Sequence, residues 1–334
     1  MPTPVAVLGG GSFGTCLAVL AARQHETVLW ARDPDVVAGI RRDRRNPRYL
    51  RDIELPAELE ATTDLGAALR GREVVIVSVP SHALRETLAR ALPHLLPGAV
   101  LVATMKGIET ETGMTMDGVF EDVLPAEMHP RVVYLSGPSF AREIAQHKPT
   151  AVTVASRELA YAISVQATLS TPWFRCYSHD DVVGVEVGGA VKNVVAIAVG
   201  MCDGLDQGLN ARAGLMTRGL HEMTRLGVAL GANPLTFQGL SGMGDLILTC
   251  TGDLSRNRRV GIELGKGKSL AEIIAGMDQV AEGVKTTYAV CTLAERLGVD
   301  MPIATAVRCV LEGEMKPKDA GFQLLSRQLR TELE

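Results

Sequence analysis

Short apolar runs punctuate the first half of the chain, at 5–9, 27–32, 74–80, 99–105, 132–137 and 150–155. They are nearly continuous rather than alternating. Stretches of helical character lie between most of them, at 15–23, 65–69, 83–92 and 140–146. A strand that is apolar on both faces belongs in a sheet covered on both sides, and strand–helix alternation builds such a sheet with parallel neighbours. Beyond about residue 180 the periodicity turns helical, at 181–201, 211–230, 269–275, 286–297, 303–311 and 317–329. The predicted architecture is an α/β domain over 1–180 followed by an all-α domain over 181–334. No Pro/Ser-rich linker separates the two, so they are expected to pack around a shared cleft.

The first run leads into Gly9-Gly10-Gly11-Ser12-Phe13-Gly14, and a helical stretch follows. Strand, G-x-G-x-x-G and helix in that order form the context in which this pattern binds a dinucleotide. Gly9 allows the tight turn, Gly11 lets backbone approach a pyrophosphate, and Gly14 lets the helix pack close to the strand. The helix start adds free N–H groups and a positive dipole end. The first domain is therefore predicted to be Rossmann-type, with a mostly parallel sheet. Its second strand ends in Trp30-Ala31-Arg32, where an NAD-specific site usually carries a carboxylate. A guanidinium suits a ribose 2′-phosphate, so NADP(H) is the expected cofactor and NAD(H) the alternative. The other reading makes Arg32 an ordinary surface arginine and gives the ribose to Asp33. Three strand ends break into small or polar residues, at 80–82, 105–107 and 136–139. Ligands of open α/β sheets sit outside such ends.

Composition narrows the class. With 334 residues and 46% hydrophobic content the chain can build a large core, and a net charge of −4 implies no general affinity for nucleic acid. The amino terminus has no basic segment before its apolar run, so no signal peptide is expected. The most apolar window, 182–202, contains Glu186 and Lys192, which argues against a membrane span. Six cysteines are scattered without a C-x-x-C pair, which suggests reduced thiols in a cytoplasmic protein with neither disulfide frame nor zinc site. No histidine spacing suggests a metal, and His82 is read as a solvated loop residue.

Arginine supplies most positive charge, and before Lys266 the chain contains only Lys106, Lys148 and Lys192. Lys192 lies on a predicted helix among Gly188, Gly189, Val195 and Ala196, none of which can pair with it. A buried lysine needs a partner from elsewhere or must neutralise, and glycines leave room for a ligand. The bland alternative is a lysine snorkelling from a helix edge. Lys106 follows a strand end and precedes Gly107, which suits a charge projecting into a cleft. Asp245 follows a glycine-rich turn, and by spacing alone it reads as a helix cap. Ser255-Arg256-Asn257-Arg258-Arg259 opens another helix. Three arginines there oppose its dipole, unless an anion is bound at that end.

Taken together, these motifs resemble those of bacterial NAD(P)-dependent glycerol-3-phosphate dehydrogenases. The resemblance runs over GGGSFGT at 9–15, VPSH at 79–82, MKGIE at 105–109 and SGPSFARE at 136–143. It continues over GGAVKNVVAIAVGMCDG at 188–204, NARAGLMTRGL at 210–220, GLSGMGDLILTCTGDLSRNRR at 239–259 and VAEGVKT at 280–286. Residues 36–62 and those after Pro317 match only loosely. The resemblance implies reversible reduction of dihydroxyacetone phosphate to sn-glycerol 3-phosphate, a precursor of phospholipids. It implies Lys192 as the proton donor and acceptor. Lys106, Gly137, Ser139, Asp245, Ser255, Arg256 and Asn257 would contact substrate. Ser12, Phe13, Arg32, Lys106, Ala141, Arg256, Val280 and Glu282 would contact cofactor. A homodimer is left open. Two rivals remain: another dehydrogenase acting on a hydroxy or sugar acid, and a non-catalytic NADP sensor. The first would not need the Ser-Arg-Asn helix start, and the second would not need an unpaired lysine at 192.

Overall fold

The structure, a computed structural model of the chain, describes residues 2–277, 281–329 and 331–332. Among these, eight strands form one sheet: β1 (Val5–Leu8), β2 (Thr27–Trp30), β3 (Glu60–Thr62), β4 (Val74–Val77), β5 (Val100–Ala103), β6 (Val132–Ser136), β7 (Thr150–Ala155) and β8 (Phe174–His179). Their order is β3-β2-β1-β4-β5-β6-β7-β8. Pairing is parallel throughout except between β6 and β7. Every side chain of β1, β2, β4 and β5 is buried, as continuous apolar runs require when helices cover both faces. Leu8 sits opposite both Trp30 and Val77, so β1, β2 and β4 end level. The strand order reverses between β1 and β4, and the chain leaves these two strands in opposite directions, opening a crevice at their carboxyl ends.

Seven helices clothe this sheet: α1 (Ser12–Ala22), α2 (Pro34–Asp43), α3 (Leu65–Leu69), α4 (Leu84–Ala91), α5 (Met116–Val123), α6 (Ala141–Ala145) and α7 (Leu159–Leu169). Val5 and Val7 of β1 face a core shared with α1, α2, α6 and α7, while Ala6 and Leu8 face one shared with α3, α4 and α5. The sequence did not reveal α2, α5, α7, β3 or β8. β3 has one buried residue among its three, and β8 alternates buried Phe174 and Cys176 with exposed Arg175 and Tyr177. An edge strand that is half wet lacks the continuous apolar run that marked the others.

The helical part comprises α8 (Val182–Gly204), α9 (Gly208–Ala229), α10 (Asp245–Thr251), α11 (Arg256–Gly265), α12 (Leu270–Ala275), α13 (Glu282–Leu297), α14 (Pro302–Leu311) and α15 (Pro317–Leu325). A single π-turn at Leu240–Gly244 leads into α10. The helix expected over 317–329 stops at Leu325. α8 is long and apolar enough to cross a membrane, but 89% of its most apolar window is buried inside the protein. α9, α10, α11, α13 and α14 pack around it. A helix apolar all round is the axle of a core rather than one wall of it. Its tightest neighbour is α11. A Cβ on Gly200 would lie 2.2 Å from the Arg258 carbonyl oxygen, and one on Gly261 would lie 2.1 Å from that of Ile197. The two backbones touch there without side chains between them.

Candidate active site

Glycines shape the crevice beside β1. Gly9 has φ +124°, and a Cβ on it would lie 2.3 Å from the Ser78 carbonyl oxygen at the end of β4. A Cβ on Gly14 would lie 1.9 Å from the Gly9 carbonyl oxygen, whereas one on Gly11 would meet no atom within 4 Å. Two glycines are therefore demanded by the protein's own packing, and the middle one leaves open space beside the start of α1. That helix has no side-chain cap at Gly11, so its first N–H groups keep their capacity for a phosphate. The cradle fits a dinucleotide. Phe13 and Ala141 are half-buried against the core of this face. Arg32 is exposed just beyond β2, and the adjacent Asp33 caps α2, its Oδ1 accepting from the Asp35 N–H.

At the carboxyl ends of β5 and β6 the chemistry concentrates. Asp245, the first residue of α10, is 1% exposed. Its Oδ1 accepts from Lys192 Nζ at 2.5 Å and its Oδ2 from Lys106 Nζ at 2.6 Å. The expectation from spacing that Asp245 caps a helix is overturned, because both of its oxygens are committed to ammonium groups and the capping position belongs to Gly244. Lys192 does not snorkel; it is 6% exposed and also donates to Thr249 Oγ1 at 2.8 Å. Lys106 donates to the Gly137 carbonyl oxygen at 3.1 Å, which also accepts from Ser139 Oγ at 2.8 Å. Gly137 has φ +135°, a conformation that presents its carbonyl to the lysine at little steric cost to glycine alone.

Two ammonium groups against one carboxylate give this cluster a net charge of +1. Burial pushes the Lys192 ammonium down, Asp245 pushes it back up, Lys106 lowers it again, and it settles at about 8. Burial alone would raise the Asp245 carboxyl, but Lys106 and Lys192 together hold it below the usual carboxylate range. Glu186, also on α8, is pushed well above its ordinary value, first by burial and then by the Asp117 charge.

Beside Lys192, Asn257 Nδ2 donates to Asn193 Oδ1 at 2.9 Å, and Asn257 Oδ1 accepts from the Gly283 N–H at 3.0 Å. The neighbouring Glu282 reaches across to the sheet, accepting from the Ser81 N–H at 3.3 Å. Ser255 caps α11, its Oγ accepting from the Arg258 N–H. Arg256 is exposed at the first position of that helix. Arg258 is held by Asp203 at 2.8 Å and by Asp253 at 3.1 Å. Val280 lies outside the described residues. Sequence reasoning missed Thr249 and Asn193. Thr249 follows Asp245 by four residues on one helix face, which is the spacing that could have found it. Among the described residues no three His, Cys, Asp or Glu side chains come together as a metal site.

The cradle follows β1 and the lysine cluster follows β5 and β6, at the same end of one sheet. A dinucleotide cradle opposite a buried lysine supplied by a helical second domain defines a class, the Rossmann-type oxidoreductases. Family models narrow it. Residues 4–162 match the NAD-dependent glycerol-3-phosphate dehydrogenase N-terminus, and residues 181–321 match the corresponding C-terminus. The chain belongs to the NAD-dependent glycerol-3-phosphate dehydrogenase family. It is 53% identical over 329 residues to glycerol-3-phosphate dehydrogenase [NAD(P)+] of Nitratidesulfovibrio vulgaris (strain Hildenborough), covering 98% of this chain and 99% of that one. The enzyme of the same name from Syntrophotalea carbinolica is 50% identical over 331 residues, with 99% of both chains covered. A crystal structure of glycerol-3-phosphate dehydrogenase from Coxiella burnetii superposes with a TM-score of 0.92 at 38% identity, over 98% of this chain and 99% of that one.

Proposed function

We propose that this enzyme interconverts dihydroxyacetone phosphate and sn-glycerol 3-phosphate, with NADPH preferred over NADH, in the cytoplasm. The reading is supported by the names of its relatives and carried by one observation, the buried Lys106–Asp245–Lys192 cluster with its excess positive charge. The bound nicotinamide supplies or accepts the hydride. Lys192 stands as the proton donor at the carbonyl oxygen of C2. As negative charge develops there, a pre-positioned ammonium stabilises it and then gives up its proton. A lysine held near 8 does both at neutral pH, since it is charged in the resting enzyme and can release its proton. Asp245 orients both lysines, and Lys106 supplies the second positive charge.

Ser255, Arg256 and Asn257 form the phosphate end, where the start of α11 contributes N–H groups and Arg256 a guanidinium. Gly137 and Ser139 border the substrate. Gly9, Gly11, Ser12, Phe13, Gly14, Arg32, Lys106, Ala141, Arg256 and Glu282 are assigned to the cofactor. The missing acid at the end of β2 and the use of Asp33 as a helix cap favour a 2′-phosphate over a bare ribose. We divide the chain functionally at residue 180. The test is NADPH oxidation with dihydroxyacetone phosphate against unphosphorylated dihydroxyacetone. The phosphorylated ketone should be far the better substrate, and Arg256→Ala should raise its KM. Equal kcat/KM for the two ketones would overturn the assignment of 255–257.

A further inference from the structure

The segment between α2 and β3, which resembled the family only loosely, is tied to the cofactor cradle by one side chain. Asn46 is fully buried. Its Nδ2 donates to the Gly10 carbonyl oxygen at 3.0 Å and to Thr15 Oγ1 at 2.8 Å, and its Oδ1 accepts from the Arg48 and Tyr49 N–H groups at 3.1 and 3.0 Å. All four hydrogen-bonding positions of the amide are used. The turn carrying Arg48 is thereby fixed to the glycine loop.

From this anchor the Arg48 side chain crosses to the end of β2. Its Nε lies 2.6 Å from Asp33 Oδ2, and Nη2 lies 3.6 Å from Asp35 Oδ2. Asp33 Oδ1 is already occupied by the Asp35 N–H. Asp33 is the first carboxylate after β2, the strand whose end carries the acid that holds a ribose 2′-OH and repels a 2′-phosphate. Arg48 neutralises it. The guanidinium remains half-exposed at 55%, and Arg32 is exposed one residue from Asp33. An ion pair this open to water is worth little, so Arg48 can turn toward a stronger anion at small cost.

We propose that Arg48 determines cofactor specificity, masking Asp33 and forming with Arg32 the receptor for the 2′-phosphate of NADPH. This rests on the NADPH reading above. It is tested by isothermal titration of wild type, Arg48→Gln and the double variant Arg48→Gln/Asp33→Asn with 2′,5′-ADP and with 5′-AMP. Asn keeps the cap on α2. In Arg48→Gln, affinity for 2′,5′-ADP should fall by about tenfold or more, the scale of one charge-assisted contact, while 5′-AMP binds as before. The double variant should regain part of the loss, because the unmasked carboxylate is gone. Unchanged 2′,5′-ADP binding in Arg48→Gln, or an equal loss for both ligands, would overturn the assignment. A wild type that binds 2′,5′-ADP no better than 5′-AMP would instead overturn the NADPH reading on which it rests.

Discussion

Lys192 is where the chemistry is most exposed to test. Burial and the neighbouring Lys106 hold its ammonium at about 8 against the pull of Asp245. Reduction needs the charged form and oxidation the free amine. The kcat for ketone reduction should therefore fall as pH rises through about 8, while that for alcohol oxidation should rise through the same range. Lys192→Met keeps bulk and removes the proton. It should cut kcat by about 10²-fold or more, the usual scale for a general acid, with NADPH affinity near that of wild type by fluorescence titration. Retained turnover would make Lys192 structural and Lys106 the acid. The candidate status of Lys192 was legible from its apolar flanks. The role of Asp245 was not: its partners lie 53 and 139 residues away, and local spacing reports only on local partners.

At the scale of elements, one side chain joins two helices. Glu222 of α9 is 3% exposed and accepts from the Ile303 and Ala304 N–H groups at the start of α14, at 2.6 and 3.3 Å. Burial raises its carboxyl from 4.5 to about 7, against the pull of those two N–H groups. A carboxyl whose folded value is raised contributes stability that is present below its unfolded value and lost as pH climbs through the folded one. Its share should therefore decline between about pH 4.5 and 7. Thermal melts of Glu222→Gln should show less of that decline. Glu222→Ala leaves two helix-start N–H groups unpaired and should cost about 1–3 kcal/mol. No sequence pattern announced this contact. The helices themselves were legible, because a 3.6-residue apolar period survives in sequence, whereas the pairing of a glutamate with a remote helix start does not. The same limit hid α2, whose arginines obscure its buried Val36, Val37 and Ile40.

Across the whole molecule, the sheet contributes Lys106 and Gly137, and the helical half contributes Lys192, Asp245 and Asn257. The touching backbones of α8 and α11 hold together the two helices that carry Lys192 and Asn257. Gly261→Ala should push these helices apart, lowering the melting temperature by overpacking worth about 1–3 kcal/mol and raising KM for the phosphorylated ketone, although residue 261 touches no ligand. An unchanged KM with a lowered melting temperature would limit the crossing to a structural part. The fold class was legible because continuous apolar strands and a glycine turn are local signals. The packing of α8 on α11 was not, since their crossing leaves only scattered glycines in the sequence.

The three charges of the cluster come from the end of β5, from α8 and from α10, and no short stretch of chain contains any two of them. Loop-closure entropy must be met before such distant groups gain from meeting. Both lysines find their counter-charge only where α10 is seated against them. A nearly finished chain with α10 misplaced would bury two ammonium groups with no counter-charge, a state that costs several kcal/mol. The arrangement that makes the site reactive also penalises near-native misfolds.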